Sequence, residues 1–79
     1  MRDIELFEIV ARVLNSSIND INEQSSPNTI KNWDSFNGYI LLDEIESTFN
    51  VSITLEEALE IETVGDYKKI LKEKGINFE

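Results

Sequence analysis

The groups available for chemistry in this sequence are carboxylates and hydroxyls. Its 79 residues include no cysteine and no histidine. That removes a thiolate nucleophile, a disulfide, a zinc site built on sulfur, the usual general base and the commonest metal ligand. Carboxylates are plentiful, and Asp43, Glu44 and Glu46 lie close together. General acid–base work needs a carboxyl whose pKa is moved by burial or by a like-charged neighbour in a cleft. These three fall on the polar side of an amphipathic stretch and read as a solvated face. An EF-hand loop needs glycine at its sixth position and glutamate at its twelfth. A loop opening at Asp20 offers Ser25 and Lys31 there, and one opening at Asn15 offers Asp20 and Ser26. Neither fits, and no metal site or catalytic group is expected.

The informative cluster is Trp33-Asp34-Ser35-Phe36. An aspartate at a helix N-cap accepts hydrogen bonds from the free amides of the first turn. Asp34 stands where such a cap is needed, so Ser35 becomes the first helical residue after a long loop. Its hydroxyl falls outside the apolar stripe of Leu41, Ile45 and Phe49. Free amides and the positive end of the helix dipole meet there, a setting that stabilises a phosphate group. An Asp-Ser pair is common, and on its own it is no more than a cap and a first-turn residue. Ser35 has no base beside it to make it a nucleophile. The position suits a serine that is modified, holding a covalent prosthetic arm through a phosphodiester, rather than one that catalyses.

The elements that must position this serine are helical. Ile4, Phe7, Val10, Ala11 and Leu14 recur at helical spacing from Asp3 to about Leu14, with Arg2, Glu5, Glu8 and Arg12 elsewhere. Asn15-Ser16-Ser17 ends that helix. From Ile18 to Trp33 the pattern lapses into a loop with strong turn chemistry at Ser25-Ser26-Pro27-Asn28, pinned by Ile18, Ile21 and Ile30. The second helix opens at Asp34, carries Gly38, Leu41, Leu42, Ile45 and Phe49 on one stripe, and stops at Asn50. Gly38 costs about 1 kcal/mol of helix propensity, so close contact with a neighbour is expected there. Val51-Ser52-Ile53 is too short for a sheet. Thr54-Leu55-Glu56-Glu57 is a capping box that starts a short helix ending near Glu60. Thr63-Val64-Gly65-Asp66 imitates it and starts the last helix, with Val64, Tyr67, Ile70 and Leu71 inward and Gly75 as the stop. Residues 1–79 form a single all-α domain.

The net charge is −9, and its placement is uneven. Between Asn32 and Tyr67 there is no lysine or arginine but there are nine acids: Asp34, Asp43, Glu44, Glu46, Glu56, Glu57, Glu60, Glu62 and Asp66. That field repels nucleic acid and anionic lipid and attracts a basic protein surface. No apolar run approaches the ~20 residues of a membrane span. The N-terminus lacks the basic-then-apolar layout of a signal peptide. A cytoplasmic monomer is expected.

Taken together, Trp33-Asp34-Ser35-Phe36, the stretch Leu41-Leu42-Asp43-Glu44-Ile45-Glu46-Ser47-Thr48-Phe49-Asn50-Val51-Ser52-Ile53, Glu56-Glu57-Ala58 and Thr63-Val64-Gly65-Asp66-Tyr67 resemble an acyl carrier protein. The resemblance runs from the first helix to Leu71, with the family's Asp-Ser-Leu present as Asp34-Ser35-Phe36. It implies a four-helix bundle with a long loop between helices 1 and 2 and a short third helix. It implies that Ser35 carries 4′-phosphopantetheine, taken from coenzyme A by a phosphopantetheinyl transferase (holo-synthase), with Asp34 as helix cap and contact for that enzyme. The sulfur for thioester chemistry then arrives with the cofactor, and the chain has no catalytic activity of its own. Acyl-loading, synthase and transferase enzymes would dock basic patches on the acidic second helix, at Phe36, Ile40, Asp43 and Glu46.

The departures point away from primary fatty-acid biosynthesis and towards a specialised carrier, of polyketide or other secondary metabolism. Ile40 stands where that family usually has an acid, Ser47 where a second acid is usual, and Trp33 where a small residue is common. Ile40 reads as extra core beside Phe36 and Tyr39, with an exposed partner contact as the other reading. An aminoacyl or peptidyl carrier is the near alternative. An unmodified acidic adaptor that binds a basic partner is the distant one.

Overall fold

In the computed structural model, which describes residues 3–78, helix α1 spans Asp3–Leu14. Helix α2 spans Ser35–Phe49, α3 spans Leu55–Leu59 and α4 spans Val64–Glu73. The described residues contain no strand. Each of the last three helices starts where a side chain can accept first-turn amides: Asp34, Thr54 and Thr63 are the N-caps, and both threonines complete capping boxes, with Glu57 and Asp66. Three helices end through a left-handed residue that turns the chain back, Asn15, Asn50 and Gly75. Behind each, an amide reaches back to a helix carbonyl: Ser16 to Ala11 at 2.9 Å, Val51 to Glu46 at 3.1 Å and Ile76 to Leu71 at 3.0 Å.

The core is assembled from α1, α2 and α4, with three loop isoleucines, Ile21, Ile30 and Ile53, and Trp33 closing it. Leu41, Ile45 and Phe49 of α2 and Val64, Tyr67, Ile70 and Leu71 of α4 are buried, as their spacing predicts. Each fully buried leucine or isoleucine contributes about 1.5–3 kcal/mol. The inward face of α1 differs from expectation. Leu6 and Ile9 are buried with Val10, Ala11 and Leu14, whereas Phe7 is half-buried and Ile4 exposed. The apolar arc of this helix is wide, so its spacing fits more than one inward set and the contact with α2 and α4 decides which. Arg2, assigned to its polar side, lies outside the described residues.

The long loop is built as expected and adds a 3₁₀ turn at Ile18–Asp20, capped by Ser17. Ile21 and Ile30 are buried and Ile18 packs against the core from the side. Ser25 is buried too, its hydroxyl accepting from the Asn22 amide at 2.9 Å. The loop is seated on the start of α4. The amides of Val64 and Gly65, free because they open a helix, donate to the carbonyls of Ser25 (3.0 Å) and Glu23 (2.8 Å). A Cβ on Gly65 would stand 2.9 Å from that Glu23 oxygen, so this approach requires glycine. Lys68 locks the same corner, its Nζ 2.9 Å from Asp3, 3.0 Å from Glu23 and 6.0 Å from the centre of the Phe78 ring. Those carboxylates, Asp3 first, hold the ammonium above the usual lysine range.

Candidate functional site

The end of the long loop is tied down before α2 begins. Asn32 donates from its side chain to the Leu14 carbonyl at 2.8 Å, fixing the loop to the end of α1. The Asn37 side chain returns to the Asn32 carbonyl at 2.9 Å. Asp34 then caps α2, its Oδ1 accepting from the Asn37 amide at 2.9 Å and its carbonyl from the Gly38 amide at 2.8 Å. The amides of Ser35 and Phe36 have no partner among the described residues, and the Ser35 side chain is exposed. The serine that the sequence singles out is thus a fixed, open hydroxyl with two unused N–H donors at the positive end of a four-turn helix.

Beside Ser35 opens a groove of about 620 Å³ between α2, α3 and the loop. Trp33 and Tyr67 reach it from the core, where both are buried and their rings stack at 6.5 Å and 22°. Tyr39 and Leu42 of α2, Leu55 and Leu59 of α3, Ile61 and Pro27 complete its walls. Burial, reinforced by the negative charge of Glu46, pushes the Tyr67 phenol up to about 12, so it keeps its proton. Leu55 and Leu59 are 70% and 74% exposed. Sequence reasoning passed over both; the signal was an i, i+4 leucine pair on a helix too short to bury it.

The outer face of α2 presents three of the four expected contacts. Phe36 is exposed, Asp43 is exposed, and Ile40 stands between them on the same side of the helix. Ile40 is 40% exposed, which corrects its reading as added core. The inward residues are 41, 45 and 49, and residue 40 sits about 100° round the helix from Leu41. Glu46 is half-buried and accepts the Ile53 amide at 2.8 Å, closing the turn after α2. Glu44 pairs with Arg12 of α1 at 2.9 Å. Among the described residues no three acids come together as a metal site.

No family model and no curated protein matches the chain. A solved structure does: a candidate acyl carrier protein from Mycobacterium tuberculosis matches with a TM-score of 0.79 and 23% identity, over 89% of this chain and 93% of that one. The chain has the acyl-carrier fold. The element order of that fold, a long loop between the first two helices and a short third helix, is the one the sequence implies. At this identity the likeness speaks for architecture. Within the acyl-carrier fold the chain's own residues put an apolar groove, floored by two aromatic rings, next to an exposed serine at a helix start.

Proposed function

We propose that this chain is an acyl carrier protein, holding acyl intermediates on a 4′-phosphopantetheine arm attached to Ser35. The observation that carries the reading is the exposed Ser35 hydroxyl at the capped start of α2 in an acyl-carrier fold. The residues present fit such an arm. A phosphodiester on the exposed Ser35 Oγ would meet the unpartnered amides of Ser35 and Phe36. When bound, the arm supplies a terminal thiol on which an acyl group is carried as a thioester.

The chain's own residues do the rest. Asp34 holds the first turn of α2 and stands next to the hydroxyl that a phosphopantetheinyl transferase must reach. Phe36 and Ile40 offer apolar contact and Asp43 a charge on one outward face, for synthase and transferase enzymes with basic patches. Charge attraction between such surfaces chiefly raises the association rate, which suits a shuttle that must also let go. An apolar residue at 40 in place of an acid favours partners of a specialised pathway over those of primary fatty-acid synthesis.

Incubation with coenzyme A, Mg²⁺ and a broad-specificity phosphopantetheinyl transferase is expected to add the mass of one phosphopantetheine, and to add none to Ser35→Ala. An unmodified wild type would leave the acidic-adaptor reading in its place.

A further inference from the structure

Two polar atoms in the groove have no use in the fold. Trp33 and Tyr67 are only 8% and 4% exposed. Neither the indole Nε1–H nor the Tyr67 hydroxyl has a hydrogen-bond partner among the described residues. No side-chain nitrogen or oxygen among them is both sealed and unpaired. These two atoms therefore reach open space, and the space that both side chains line is the groove beside Ser35. Gly38 bears on the first of them. A Cβ there would lie 3.6 Å from Trp33 Nε1, an ordinary contact, and no positive φ demands glycine. Close approach, the reason expected from the sequence, is thus not what requires glycine at 38. An alanine would fit and would favour the helix. What it would also do is crowd the approach of a chain-borne oxygen to the indole N–H.

We propose that Trp33 Nε1–H and the Tyr67 hydroxyl form a hydrogen-bonding floor that selects acyl cargo bearing a carbonyl or hydroxyl oxygen over saturated alkyl cargo, with Gly38 leaving the indole open to it. The inference rests on the carrier reading of Ser35 and names the class of cargo. An alkyl chain laid over the floor would strip water from two donors and give nothing back, which is costly for an amide-like or hydroxyl group. An oxygen on the chain restores the bond. The Tyr67 phenol stays protonated and able to donate, since burial and the charge of Glu46 oppose its ionisation. The apolar walls accept the carbon chain in either case, so discrimination falls to the floor.

The chain has one tryptophan, so a single indole N–H cross-peak reports on the floor. Four forms are compared by NMR: unmodified, phosphopantetheinylated, hexanoyl-loaded and 3-oxohexanoyl-loaded. The 3-oxo form is expected to displace the cross-peak and to slow indole hydrogen exchange about tenfold relative to the hexanoyl form, the ratio one ordinary hydrogen bond gives. Gly38→Ala and Tyr67→Phe are each expected to shrink that difference while the loaded mass is unchanged. Equal protection by the two cargoes would overturn the proposal. So would full protection by the unloaded arm, which would mean that its amide carbonyls occupy the floor. If the transferase leaves Ser35 unmodified, the carrier reading fails by mass alone. Ser35→Cys, which gives a cysteine-free chain one thiol, then takes the same two acyl groups by thiol exchange from their activated thioesters, the donor thiol leaving, and the same comparison decides the floor.

Discussion

Two glycine-to-alanine substitutions should move stability in opposite directions. Gly38 lies inside α2 with negative φ, and a methyl group there would touch the Trp33 indole at 3.6 and 3.8 Å. Nothing has to move, so the change in helix propensity, about 0.8–1 kcal/mol in favour of alanine, passes into stability. For a domain of 79 residues that corresponds to a rise in Tm of about 4–8 °C. Gly65 also sits in a helix, but a methyl group there would stand 2.9 Å from the Glu23 carbonyl oxygen and 3.4 Å from its Cβ. The obstacle is backbone, so the loop must lift. Lifting it breaks the 2.8 Å bond from Gly65 to Glu23 and strains the 3.0 Å bond from Val64 to Ser25. Overpacking of this kind costs about 1–3 kcal/mol, and the helix gains little at its second residue. Gly65→Ala should therefore melt roughly 5 °C or more below the wild type. Thermal unfolding followed by far-UV circular dichroism on the unmodified proteins is sufficient. A Gly65→Ala variant as stable as the wild type would refute the seating of the loop on α4, and a destabilised Gly38→Ala would refute the clearance above the indole.

Other perturbations have equally definite signs. Ile40→Glu should cost less than about 1 kcal/mol, since the side chain is exposed and the new charge only repels Asp43 and Glu44 one turn on; a cooperative loss of fold on melting would return Ile40 to the core. Raising the pH should weaken the protein through Tyr67, whose folded pKa of about 12 exceeds the ordinary 10. Stability is whole below pH 10 and declines as pH climbs towards 12, by roughly 2–3 kcal/mol in all. The wild type should therefore lose more than Tyr67→Phe in urea titrations at about pH 9 and pH 11, and parallel losses would count against this. Added salt or Mg²⁺ should raise Tm by screening the acids between Asn32 and Tyr67. Ion pairs from Glu44 to Arg12 and from Glu57 to Lys74 limit the gain, and a falling Tm would mean those pairs outweigh the repulsion.

What could be read from the sequence was local. Asp34, Thr54 and Thr63 announce helix starts because a cap and its amides lie within three residues of each other. Asn50 and Gly75 announce stops because few residues tolerate the left-handed backbone. Ser35 stood out for the same reason, as its setting is made by its immediate neighbours. The inward face of α1 was hidden because leucine, isoleucine, phenylalanine and valine share a wide arc of that helix. The groove was hidden because Pro27, Tyr39, Leu55 and Ile61 come from four separate segments. Gly65 looked like a bystander in a capping box, and only the arrival of Glu23, forty-two residues earlier, gives it a task. Ile40 was assigned inward because apolar character was read as burial, whereas helix geometry turns it outward.

The central claim is that one serine, Ser35, takes the arm. Trypsin should release residues 32–68 as one peptide, since no lysine or arginine lies between Lys31 and Lys68. After treatment with coenzyme A and the transferase, fragmentation of this peptide should place the added phosphopantetheine between Asp34 and Phe36. An adduct on Ser47 or Ser52 instead, or one that persists in Ser35→Ala, would contradict the account.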